Sequence, residues 1–278
     1  MRCNTLWADL ISKGMKDVRP AFKRLDNGDI VPIGYQRVNC HTIFDVMMED
    51  FRQKARLVVR GHVTDPPYTI TYASIVSRET VIIALTLDAL NDLPVKVAVI
   101  HNAYITSPVT ETIWTFLGLE LVEDSGRKAI VVCPLYFLKS AGAEFWYQLK
   151  DCMQHLGFFT YPDNLDLCMK PMVMTDDRFN YYAHVLIYVD DVMVIYHDAE
   201  SVLRRIDKYF KLKQSLIGDP EIYFWTKLKK MRLDNGVWAW KTAQKDMSRN
   251  WWQHLRSIWP IWLMRVGSFQ RRKTRTPL

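Results

Sequence analysis

The segment HVLIYVDDVMVIYHD, His184 to Asp198, sets two apolar runs on either side of two adjacent carboxylates, Asp190 and Asp191. Val185, Leu186 and Ile187 before the pair, and Val192, Val194 and Ile195 after it, predict two strands with little solvent exposure. The pair falls where a hairpin turn belongs. Turn chemistry favours Asn-Gly or Asp-Gly there, not Asp-Asp. Adjacent carboxylates repel each other unless an opposite charge offsets them. A surface turn that happens to hold two aspartates is the plain alternative. The buried flanks argue instead for a cation, and a hard dication with oxygen ligands such as Mg²⁺ suits the pair.

Outward from the hairpin, helical and extended patterns alternate. NTLWADLISKGMKDV has helical spacing, with Leu6, Leu10 and Met15 near one face. NGDIVPIG is loop chemistry. HTIFDVMMEDFRQKARLVVRGHV reads as strand, turn and strand, with Lys54 and Arg56 on one face of the second strand. SRETVIIALTLDALND is a helix that Ser77 can cap. VKVAVIHNAYI is a β-rich run, EFWYQLKDCMQHLGF a helix closed near Gly157, and DAESVLRRIDKYFKL a further helix. EIYFWTKLKKMRLDNGVWAWKT predicts a hairpin turning at Asp-Asn-Gly. The hairpins exclude an all-parallel sheet, so the expected class is α+β: an antiparallel sheet with helices packed on one face.

Composition narrows the function classes. The 278 residues are 49% hydrophobic and 24% charged, which describes a folded chain rather than a disordered one. No apolar run approaches the roughly 20 residues of a spanning helix, and the N-terminus lacks the apolar core of a signal peptide. No membrane association is expected. The cysteines, Cys3, Cys40, Cys133, Cys152 and Cys168, are scattered and odd in number, which predicts reduced thiols and an intracellular setting. The net charge of +7 is misleading as a sign of nucleic-acid binding. Residues 247–278 hold seven of the 37 Lys and Arg and no acid, so 1–246 is neutral, with 30 of each sign. Cys152, His155 and Cys168 offer three scattered ligands and no paired Cys-x-x-Cys, a poor zinc set. His101 and His197 read as strand-end or loop residues. No Gly-rich phosphate loop, nucleophile elbow or His-Glu-x-x-His is present.

With these motifs in view, the chain resembles the reverse transcriptases of copia-type retrotransposons over roughly residues 4–246. YVDD between apolar strands is similar to their catalytic hairpin, and FDVMMEDFRQKARLVVRGH to the KARLVA-G segment of their fingers. TYASIVSRETVIIALTLDALNDLPV resembles the stretch between fingers and palm, NAYITSP the first palm motif, and LYFLKSAGAEFW the following LYGLK-type motif. DAESVLRRIDKYFKLKQSLIGDPEIYF resembles the region after the hairpin. The resemblance implies fingers at 46–94 after a lead-in at 1–45, and a palm with an interleaved fingers segment at 95–246. Residues 247–278 form an aberrant basic, Trp-rich tail, and the thumb is missing or degraded.

The resemblance also implies two Mg²⁺ ions, an RNA template, a DNA primer and deoxynucleoside triphosphates as partners, and RNA-templated DNA synthesis as the reaction. Asp190 and Asp191 would be the catalytic, metal-binding pair. Tyr104 matches the aromatic gate that excludes a ribose 2′-hydroxyl; a core aromatic is the alternative. Lys54, Arg56 and Arg60 would meet triphosphate and template; a solvated basic strand is the alternative.

The departures are informative. The family's first palm motif carries an aspartate four residues before an Ala-aromatic pair. Here that pair is Ala103-Tyr104, and the position holds Val99, which cannot ligate a metal. Asp92 is too far upstream to substitute. Phe137 and Phe224-Trp225 stand where the family has Gly and Leu-Gly. The tail resembles no continuation of the family, consistent with a shifted reading frame. The expected outcome is a reverse transcriptase fragment, separated from the rest of its polyprotein, with crippled polymerase activity. The alternatives are a non-catalytic nucleic-acid-binding remnant and a non-functional pseudogene product.

Overall fold

A computed structural model describes residues 2–26, 28–46, 53–68, 71–161, 164–174, 179–224 and 226–244. The tail at 247–278 and Trp225 lie outside them. Helix α1 (Arg2–Val18) leads into β1 (Phe22–Arg24), β2 (Gln36–Arg37) and the pair β3 (Cys40–Val46) and β4 (Gln53–Val59). After α2 (Arg78–Asn91) come β5 (Val95–Val99), β6 (Ile113–Phe116), β7 (Lys128–Val131) and α3 (Ala141–His155). Then follow β8 (Phe159–Tyr161), β9 (Asn164–Val173), β10 (Asn180–Tyr188), β11 (Asp191–Ile195) and α4 (Ala199–Asp207). The last strands are β12 (Ile222–Tyr223), β13 (Thr226–Arg232) and β14 (Trp238–Gln244). Mixed helices and mainly antiparallel sheets make this an α+β protein.

The central sheet has strand order β5-β11-β10-β9-β8, antiparallel throughout. Alternate residues of β10 and β11 enter two different cores. Val185, Ile187, Val192 and Val194 meet Phe145, Leu149 and Cys152 of α3 and Val202, Leu203 and Ile206 of α4. Leu186, Met193 and Ile195 join a second core with Val81, Ala84 and Leu85 of α2 and with Tyr223 and Leu228 of the β12–β14 sheet. The expectation of helices on one face therefore needs correction. Both faces of β10 and β11 are apolar, so both must be covered. Helices α3 and α4 cover one, and α2 with a second sheet covers the other. A buried strap fixes that second layer, in which the indole of Trp240 donates to Asp88, which is fully buried and lies 3.6 Å from Lys230.

A third core lies under a four-stranded sheet of order β1-β7-β6-β2, where Phe22, Ile113, Ala129 and Val131 pack against Met15 and Val18 of α1. Residues 1–45 thus share a sheet with β6 and β7 of the 95–246 segment. The boundary expected at 45/46 falls inside β3.

Local predictions hold in detail at several ends. Ser77 caps α2 by accepting from the Thr80 N–H at 3.1 Å. Gly157 takes the left-handed conformation just beyond α3 (φ 84°). Gly236 does the same at the β13–β14 turn (φ 80°). Helix α4 stops at Asp207, shorter than its pattern suggested.

Candidate active site

The hairpin β10–β11 closes through a two-residue turn, Val189-Asp190, between the paired residues Tyr188 and Asp191. Val189 has φ 53°, an unusual conformation for a β-branched residue. Holding it there costs on the order of 1–2 kcal/mol. The fixed turn presents Asp190 at the tip and Asp191 as the first residue of β11.

Strand β5 runs antiparallel beside β11, and Val99 is the direct cross-strand partner of Asp191. Cross-strand partners point to the same face with Cβ atoms about 4.5–5.5 Å apart. The Ile100 N–H donates to the Asp190 carbonyl at 2.8 Å, locking the hairpin tip against the end of β5. Residue 99 therefore sits across from Asp191, at the strand end bonded to the Asp190 backbone.

Tyr104 and Tyr136 border the same point. Tyr104 follows β5 in a short 3-10 turn and packs edge-on against Tyr136 (5.3 Å between centroids) and Phe145 (6.2 Å). Burial raises the pKa of the Tyr104 hydroxyl, and the charges of Asp190 and Tyr136 add to it. Burial likewise raises that of Tyr136, Asp190 adds to it, and Arg56 opposes it. Tyr104 thus lies within reach of the Asp190 charge and packs into the core as well. Lys213, reached from the segment after α4, places Nζ 3.9 Å from Asp190 Oδ2, and its N–H donates to the Val99 carbonyl at 2.9 Å.

The three basic candidates are placed differently. Arg56 binds Asp45 at 2.8 Å, and its guanidinium holds that carboxyl below its usual pKa range. Through Tyr136, Arg56 is linked to the carboxylate site. Lys54 stands opposite Asp45 in the β3–β4 ladder. Arg60 lies past the end of β4, exposed, with its N–H donated to the Asn39 carbonyl. The strand alternation that groups Lys54 with Arg56 ends at Val59, before Arg60.

The family departures at two aromatic positions have a structural counterpart. Phe137 (φ 73°) and Phe224 (φ 51°) both occupy the left-handed region that glycine favours. The Phe137 backbone is held by Gly61, where an added Cβ would lie 2.0 Å from the Phe137 carbonyl oxygen.

A family model for reverse transcriptase (RNA-dependent DNA polymerase) matches residues 25–228. The chain belongs to the reverse transcriptase family. A comparison with curated proteins finds no match. Membership implies nucleic-acid and nucleotide partners. No described helix is long and apolar enough to cross a membrane.

Metal ligation at a reverse transcriptase hairpin needs clustered oxygen donors. Among the described residues, no group of three His, Cys, Asp or Glu side chains comes together. At the hairpin the donors are Asp190 and Asp191, a valine stands in the third place, and an ammonium lies beside Asp190. This set does not fit a pair of dications. Nor do Cys152 and Cys168 form a metal site: both are buried in the core, and burial pushes their thiols up to about 11 and about 12.

Sequence reasoning missed Lys213 and Tyr136. Tyr136 stands in the LYFLK motif and Lys213 in the segment after the hairpin, but neither stretch by itself signals that these side chains meet the site. The register of the β5 edge strand with residues 211–218, seen in the Val97–Gly218 and Ile100–Leu212 bridges, is what carries Lys213 there.

Proposed function

We propose that this chain is a copia-type reverse transcriptase domain that has kept the fold of an RNA-templated DNA polymerase and lost its chemistry. The observation that carries this reading is the pairing of Val99 with Asp191. In the working reaction, two Mg²⁺ ions supply activation of the primer hydroxyl and stabilise the departing pyrophosphate. Asp190 and Asp191 alone leave too few oxygen donors for both ions, so no step of that reaction is assigned to this chain. What its own residues can still do is bind. Tyr104 walls one side of the carboxylate site, and Arg56 and Lys213 offer cations toward phosphate. The function this supports is a nucleic-acid-binding remnant of a retrotransposon polymerase.

The test measures binding and incorporation together on the purified chain. A labelled RNA template–DNA primer should bind, and dNTP with Mg²⁺ should yield no extension. Robust extension sinks the proposed defect. Failure to bind template–primer sinks the retained binding.

A further inference from the structure

The outer face of the four-stranded sheet, a sheet separate from the one that carries the hairpin, has the chemistry of a second nucleic-acid surface. Its inner face is core. Its outer face sets Lys23, Ile130, Trp114 and Arg37 in one row across β1, β7, β6 and β2. The next row holds Lys128 beside Phe116. Lys23, Arg37, Phe116 and Lys128 are exposed and Trp114 is half-buried. The Trp114 and Phe116 rings lie 5.2 Å apart, and the Arg37 guanidinium sits 4.9 Å from the Phe116 ring. Among the described residues, none of the three cations forms an ion pair with an acidic side chain.

Neighbouring aromatic rings and a cation–π contact stabilise a sheet modestly, but among the described residues Lys23 and Lys128 take part in neither. Aromatic rings flanked by cations on an open sheet are suited to a single strand: bases stack on the rings and phosphates meet the cations. A duplex buries its bases and cannot use the rings.

We infer that this face binds single-stranded nucleic acid, an inference that rests on the polymerase-remnant reading for its choice of partner. The simpler role for Arg37 is a brace that holds β2 to β6 by stacking on the two rings.

Fluorescence anisotropy with a labelled 12-nucleotide oligouridine, alongside a blunt RNA–DNA duplex, tests this on the full chain. Phe116→Ala should weaken single-strand binding roughly tenfold and leave duplex binding unchanged. Lys128→Ala should weaken it and reduce the slope of log affinity against log salt by about 0.7. Photocrosslinking with 5-iodouridine should mark the peptide that contains Trp114 and Phe116. Thermal melts confirm that both variants fold. Wild-type affinity in both variants, with crosslinks elsewhere, overturns the inference and leaves the polymerase-remnant reading standing. Binding of neither strand form by the wild-type chain overturns both. Self-association that Phe116→Ala abolishes, without single-strand binding, assigns the face to a second copy and also overturns it.

Discussion

Replacing Val99 with aspartate would place a third carboxylate directly across from Asp191, at the hairpin that also carries Asp190. The cost follows from the register. Cross-strand carboxylates about 5 Å apart at an effective dielectric near 20 repel by about 3 kcal/mol. Asp191 is half-buried, so solvent screening reduces this to about 1–2 kcal/mol. Loss of a half-buried valine adds about 1 kcal/mol. In chelator, V99D should therefore be destabilised by about 2–3 kcal/mol, a fall in Tm of roughly 4–12 °C for a chain of this size. Adding Mg²⁺ at ten times its dissociation constant should return about 1.4 kcal/mol. Wild type should show a much smaller Mg²⁺ response. The neutral variant V99N separates charge from packing: it should lose the valine contribution only and ignore Mg²⁺. Thermal melts of the three proteins in EDTA and in Mg²⁺ decide the matter. Equal losses in V99D and V99N, with no Mg²⁺ rescue of V99D, would refute the placement of residue 99 across from Asp191.

Three further outcomes follow from the fold. Phe137 is held at φ 73° with its ring largely exposed, so Phe137→Gly should stabilise the chain by about 0.5–1 kcal/mol in urea unfolding, relief of strain outweighing the added freedom of glycine; a loss would contradict the strain. Trp240→Phe removes the indole donor of buried Asp88 and should cost about 1–3 kcal/mol, partly recovered by adding Asp88→Asn; an unchanged unfolding midpoint would show that the strap contributes nothing. His184 is buried with its Nδ1 unpartnered, and burial lowers its pKa below the usual 6.5. Below that value the unfolded chain binds a proton that the folded chain refuses, so stability should fall as pH drops from about 7 toward 5. His184→Leu should flatten that part of the profile, and an unaltered slope would remove His184 as its cause.

The hairpin was legible because two apolar runs and a central polar pair leave a strand little choice of register. The helices were legible from period and caps, as at Ser77. The second covering layer was not, although its cause was in plain sight: Leu186 and Met193 are as apolar as Val185 and Val192, and a strand apolar on both faces needs two partners. The β1-β7-β6-β2 sheet escaped notice because its strands have two to four residues, too few for a period to show, and β2 pairs in parallel with a strand far along the chain. At the site, spacing from Ala103-Tyr104 identified Val99, and the register with Asp191 supplies the spatial reason it matters. Arg60 was grouped with Lys54 and Arg56 by the family resemblance, and it lies past the end of β4 that carries the other two. Lys213 lies within the segment after the hairpin, and the edge pairing of β5 brings it to Asp190.

The central claim is that two carboxylates and a valine make a polymerase fold without polymerase chemistry. The most direct test is single-nucleotide incorporation on an RNA template–DNA primer across a range of Mg²⁺, with the wild-type chain run against the Asp190→Asn/Asp191→Asn double variant. The two should give the same background. Incorporation by the wild-type chain that disappears in the double variant would contradict the claim.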